Sequence, residues 1–150
     1  MPRCELKSGK QVADWLAEVG SQLKDPGNMT LIGSAALLWH AQDRGLSAEL
    51  PEASMDVDSV TDSEEVARQF YEALIGSEFE RTHGWHVNMM PESVLQDLPA
   101  GWKERATQKQ IEKLNLMVPA PADLLAPKLK RNEPRDRAHA DWARRIGLLG

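Results

Sequence analysis

Apolar residues recur along this chain in two rhythms, one of a helix and one of a strand. Val12, Trp15, Leu16, Val19 and Leu23 share one face of a 3.6-residue repeat, which predicts an amphipathic helix over residues 10–24. Asp25-Pro26-Gly27-Asn28 stops it. Met29-Thr30-Leu31-Ile32 then reads as a short strand, Gly33-Ser34 as a tight turn, and residues 35–41 as a helix of strong helix formers. Gly, Ser and Pro between 45 and 53 predict a loop, and the polar–apolar alternation over 54–60 predicts a strand. Thr61 or Asp62 is placed to cap the next helix, which carries Glu64 and Glu65 in its first turn and Val66, Phe70, Ala73 and Leu74 on one face. Residues 85–90 and 114–118 predict further strands, closed by Pro91 and by Pro119-Ala120-Pro121. Helices are expected over 123–131, where Pro127 removes a hydrogen bond unless it sits in the first turn, and from about Pro134 onward. The order αβαβαβββαα predicts an α+β fold, an α/β-type mixed sheet with helices on one side.

Composition narrows the class. A chain of 150 residues with 41% hydrophobic and 27% charged residues fits one globular domain spanning 1–150. No stretch is apolar enough to cross a membrane, and the polar first residues lack the apolar run of a secretion signal. Cys4 is the only cysteine, read here as an idle thiol, so the expected location is cytoplasmic. With 18 basic against 23 acidic residues, the net charge of −5 argues against a broad DNA-binding surface. The charges are segregated: Lys128, Lys130, Arg131, Arg135, Arg137, Arg144 and Arg145 lie near one end, and acids dominate from Glu49 to Glu80. The two blocks either clamp a polyphosphate on a metal or are two solvated helix faces.

The chemistry concentrates in two places. Gly33 lets the backbone approach an anion at a helix N-terminus, and Ser34 adds a hydroxyl donor, although glycines also end many strands. Asp56 and Asp58, two apart on a strand, point to one face and repel unless a divalent cation lies between them or both face water. His83-x-x-His86 has zinc spacing without cysteine partners nearby, so packing or surface histidines are expected instead. The five tryptophans, Trp15, Trp39, Trp85, Trp102 and Trp142, are spaced as core or boundary residues rather than as a base-stacking platform.

Leu31-Ile32-Gly33-Ser34-Ala35-Ala36-Leu37, followed by Ser54-Met55-Asp56-Val57-Asp58, resembles the opening of nucleotidyltransferase-fold proteins related to DNA polymerase beta. Leu98-Pro99-Ala100-Gly101-Trp102-Lys103-Glu104-Arg105 resembles the Leu-Pro-x-Gly-Trp-x-x-Arg segment of a bacterial nucleotidyltransferase family of unassigned function, a neighbour of the AbiEii-type toxin nucleotidyltransferases. Ala122-Asp123-Leu124-Leu125-Ala126-Pro127-Lys128-Leu129 and Arg135-Asp136 are similar to that family's later motifs.

The resemblance implies that Gly33 and Ser34 hold nucleotide phosphates and that Asp56 and Asp58 ligate Mg²⁺ or Mn²⁺. It implies that Lys128 contacts the triphosphate of an NTP and that Asp136 completes the site. The implied reaction moves an NMP group to an RNA end or a protein side chain, in a setting where a cognate toxin or antitoxin is the partner. Two positions depart from the pattern. Asn88 stands where a third carboxylate is expected, leaving His86 or Asp136 to replace it, and Glu133 stands where the family tends to have arginine. A neutral amide cannot accept a proton and ligates Mg²⁺ poorly. The rival readings are a weak or inactive nucleotidyltransferase-fold protein that binds nucleotide or a partner protein, and a plain interaction domain with an exposed acidic strand.

Overall fold

The computed structural model describes residues 6–46, 49–50 and 56–149. Its elements follow the expected alternation: helix α1 (Gly9–Gln22), strand β1 (Gly27–Ile32), helix α2 (Gly33–Asp43), strand β2 (Asp56–Thr61), helices α3 (Glu64–Tyr71) and α4 (Glu78–His83), and strand β3 (His86–Met89). A 3-10 segment (Glu92–Asp97), the short helix α5 (Trp102–Arg105), strands β4 (Thr107–Ile111) and β5 (Leu114–Val118), and helices α6 (Pro121–Arg131) and α7 (Pro134–Arg145) complete it. Cys4, Ser54, Met55 and most of the expected 45–53 loop lie outside the described residues.

The strands form one mixed sheet in the order β3-β2-β1-β5-β4. β1 runs antiparallel to β2 and parallel to β5, and β2 runs parallel to β3. Alternation splits the sheet into two faces. Met29, Leu31, Val57, Val87, Leu114, Leu116 and Val118 are buried on one face, in a core shared with Val12, Trp15 and Leu16 of α1, Leu37 and Leu38 of α2, and Val66 and Phe70 of α3. Asn28, Thr30, Ile32, Asp56, Asp58, Asn88, Asn115 and Met117 occupy the other face, where none of them is fully buried. All five tryptophans are buried, in keeping with their core spacing.

Several local expectations are corrected. Ser63, not Thr61 or Asp62, caps α3: its hydroxyl accepts from the Val66 N–H at 3.2 Å, while the Thr61 hydroxyl donates to the Asn28 carbonyl. That helix ends at Tyr71, so Ala73 packs from the turn beyond it. Pro127 lies in the interior of α6, a helix that begins at Pro121, two residues earlier than predicted. β4 is the strand that the predicted order counts but to which it assigns no residues; its Thr-Gln-Lys-Gln-Ile sequence is an edge strand with a polar surface, so it carries no apolar alternation. The helices are not all on one side either. The segment from the 3-10 turn to α5 borders the open face, where Leu95 and Trp102 line a trough together with β1, β4 and β5 residues.

Candidate functional site

β1 ends at Ile32 and turns directly into α2. Gly33 at this corner has φ +74, the left-handed region that a side chain disfavours. A Cβ there would also stand 2.9 Å from Asp58 Oδ2, so the missing side chain is what lets the Asp58 carboxylate lie against the turn. Antiparallel register pairs Ile32 with Asp58, which brings β2's acids to the N-terminus of α2. That terminus presents unpaired N–H groups and the positive end of the helix dipole.

Asp56 and Asp58 share the open face, and parallel pairing sets Asp58 opposite Asn88 and Asp56 opposite His86. The Asn88 amide bridges both acids, donating from Nδ2 to Asp56 Oδ2 at 2.9 Å and to Asp58 Oδ1 at 3.1 Å. Burial, followed by the charge of Asp56, raises the Asp58 pKa above the ordinary carboxylate value. The strand therefore holds a pair of acids that repel and are only partly compensated.

Helices from the far end of the chain close the site. Lys128 on α6 is buried, and its Nζ donates to Ser34 Oγ at 3.2 Å. Burial lowers its pKa, opposed by Asp136 and by Asp58. His139 on α7, wholly buried, meets the same hydroxyl through Nδ1 at 3.2 Å. Asp136 does not face the two strand acids. It pairs with Arg131 through Nε at 3.1 Å and Nη2 at 2.6 Å, accepts from the Glu133 N–H, and lies 3.9 Å from Lys128 Nζ. The Arg131 hydrogen bonds hold the Asp136 pKa low. Glu133 is the N-cap of α7 and forms a capping box with Asp136. Asp136 therefore braces Lys128 and Arg131 from behind.

The two readings of the basic block divide here. Lys128 and Arg131 both feel the charge of Asp58, whereas Arg144 pairs with Asp141 on an exposed helix face. His83 and His86 do not converge on a zinc site. His83 stacks on Phe79 at 3.8 Å between ring centroids, and His86 Nδ1 lies 2.7 Å from Glu80 Oε2. Among the described residues no three His, Cys, Asp or Glu side chains gather as a metal cage.

Sequence reasoning missed His139. A buried polar residue on an amphipathic helix carries no local mark of a partner 105 residues away. His40 was also missed; its Nε2 donates to the Pro119 carbonyl at 2.7 Å and ties α2 to the loop that delivers α6.

Residues 10–143 match the family described as a nucleotidyltransferase of unknown function (DUF6036). Neither the curated proteins nor the solved structures include a match to the chain.

Proposed function

The chain belongs to this nucleotidyltransferase family, and from that premise we propose that it transfers an NMP group from an NTP to a hydroxyl on an RNA end or a protein side chain. The observation that carries the reading is convergence. The Gly33 turn, Ser34, Asp58 and Lys128 come from three separate parts of the chain and meet within contact distance.

In this reading the N–H groups of the α2 terminus, the Ser34 hydroxyl and Lys128 Nζ bind the triphosphate. Asp56 and Asp58 fit a divalent ion of the Mg²⁺ class, which commonly takes one or two protein carboxylates and completes its shell with substrate phosphates and water. Their mutual repulsion is the structural sign of that fit. A bound Mg²⁺ or Mn²⁺ supplies neutralisation of charge developing on the phosphates. The acceptor oxygen bonds to the α-phosphorus as the bond to the bridging oxygen breaks, and pyrophosphate leaves in line. The hydroxyl proton passes to a carboxylate; Asp58, raised in pKa, is better suited than an ordinary surface acid.

One observation favours the rival, a nucleotidyltransferase-fold protein that binds nucleotide and turns over feebly. Asn88 donates to both acids and satisfies with an amide the position where a third carboxylate would act. Incubating the protein with each α-labelled NTP, Mg²⁺ and either total RNA or lysate protein separates the two. Transferred label that vanishes in Asp56→Asn supports the enzyme, and Mg²⁺-dependent nucleotide binding with no transfer to either acceptor pool supports the rival.

A further inference from the structure

The open face of the sheet carries a trough of about 680 Å³ whose floor starts at Thr30 and Val60, one row along the strands from Asp58. Cross-strand register resolves the face into rows. Ile32, Asp58 and Asn88 form the row at the candidate site. Two residues back along β1, Thr30 is flanked by Val60 on one side and by Met117 and Gln108 on the other. Two residues further, Asn28, Asn115 and Gln110 form a row of three carboxamides. Successive same-face rows are about 7 Å apart. The face therefore passes from acids, over an apolar step at Val60 and Met117, to amides.

We propose that this trough seats the nucleobase of the donor nucleotide, an inference that rests on the phosphate-site reading above. Three features carry it. The apolar step, with Leu95 and Trp102 also in the lining, offers a surface for a planar ring one row from the acids. Beyond it, Asn115 Nδ2 donates to Asn28 Oδ1 at 3.1 Å, which leaves an amide donor on Asn28 and a carbonyl acceptor on Asn115 side by side. Base edges present donors beside acceptors in the same way, and Asn and Gln side chains are their usual readers. Finally, Asp62 and Glu92 line the trough together with Lys103 and Lys109, so it carries no net positive charge of the kind that seats a phosphate and suits the uncharged end of a nucleotide.

The test compares Mg²⁺-tripolyphosphate, which has no base, with the four Mg²⁺-NTPs by calorimetric titration. The trough predicts that the NTPs bind more tightly than tripolyphosphate and unequally among themselves. Gln108→Ala and Asn115→Ala replace exposed side chains, and melting temperature checks that the fold is kept. Each should weaken its preferred NTP by about tenfold or more, the scale of a lost amide–base pair, and flatten the differences between bases. Affinity for tripolyphosphate should not change. NTPs that bind no better than tripolyphosphate, or variants that weaken both ligands equally, overturn the inference. If NTPs bind selectively while tripolyphosphate does not bind, the trough stands and the phosphate-site reading falls; if nothing binds, both fall.

Discussion

Burial, and after it the neighbouring charge of Asp56, push the Asp58 pKa up from 3.8. The sign of the consequence follows from proton counting. Between the ordinary value of 3.8 and the raised folded value, the native state binds more protons than the unfolded chain, so stability falls as pH rises through that window. At neutral pH the full cost is present. Asp58→Asn should therefore melt higher than the parent at pH 7 without ligand, and the gap should close near pH 3. It should also lose the added melting shift that Mg²⁺ and nucleotide give together. A variant that melts lower at pH 7 would mark Asp58 as a structural partner of Asn88. Asn88→Asp runs the other way. It exchanges an amide that donates to both acids for a third like charge, so the apo protein should melt lower and respond more strongly to Mg²⁺ than the parent. Equal Mg²⁺ responses in the two proteins would place Asn88 outside any ion's reach.

At the scale of elements, α2 acts as the beam on which the site is hung. Its first turn holds Gly33 and Ser34, and its buried His40 anchors Pro119, the residue two before α6 begins. Burial lowers the His40 pKa from 6.5, so the unfolded chain takes up a proton there before the native state does. Stability is therefore lost as pH falls below about 6.5, until the depressed folded value is passed. His40→Gln, which can still donate to the carbonyl, should flatten the decline of melting temperature between pH 7.5 and 5. An unchanged slope would show that another group controls it. The same elements show what a sequence can and cannot disclose. β1, the glycine corner and β2 were legible because their signals are local: a period of two, a residue with special φ, and acids two apart. Asn88 was placed correctly because its strand follows the same period. The residues of β4, the 3-10 turn and α5 were missed because short or edge elements lack an apolar rhythm. The bracing role of Asp136 and the contact of His139 with Ser34 depend on how helices cross, which no window along the chain contains.

Across the whole molecule, the candidate site gathers one turn, two strands and two helices that come together only in the folded chain, so the proposed ligands would bind that state alone. Mass action then links function to stability. Mg²⁺ alone should raise the melting temperature little, because two carboxylates without phosphates make a weak site. Nucleotide and Mg²⁺ together should raise it by more than the sum of each alone, and stripping the metal with EDTA should return it to the nucleotide-only value. An additive response would separate the metal from the phosphates. The residue-to-residue reach of the candidate site has one further outcome. Ser34 touches Lys128 and His139 across 94 and 105 positions of chain. A ribosome builds the polypeptide in one direction, so the glycine corner and both acids exist long before their cationic and histidine partners. Until α6 emerges, the nascent molecule carries the acids without the lysine that opposes them. Only the emergence of α6 and α7 brings Lys128 and His139 to Ser34, so under the proposed function nucleotide binding would report that these two helices have docked.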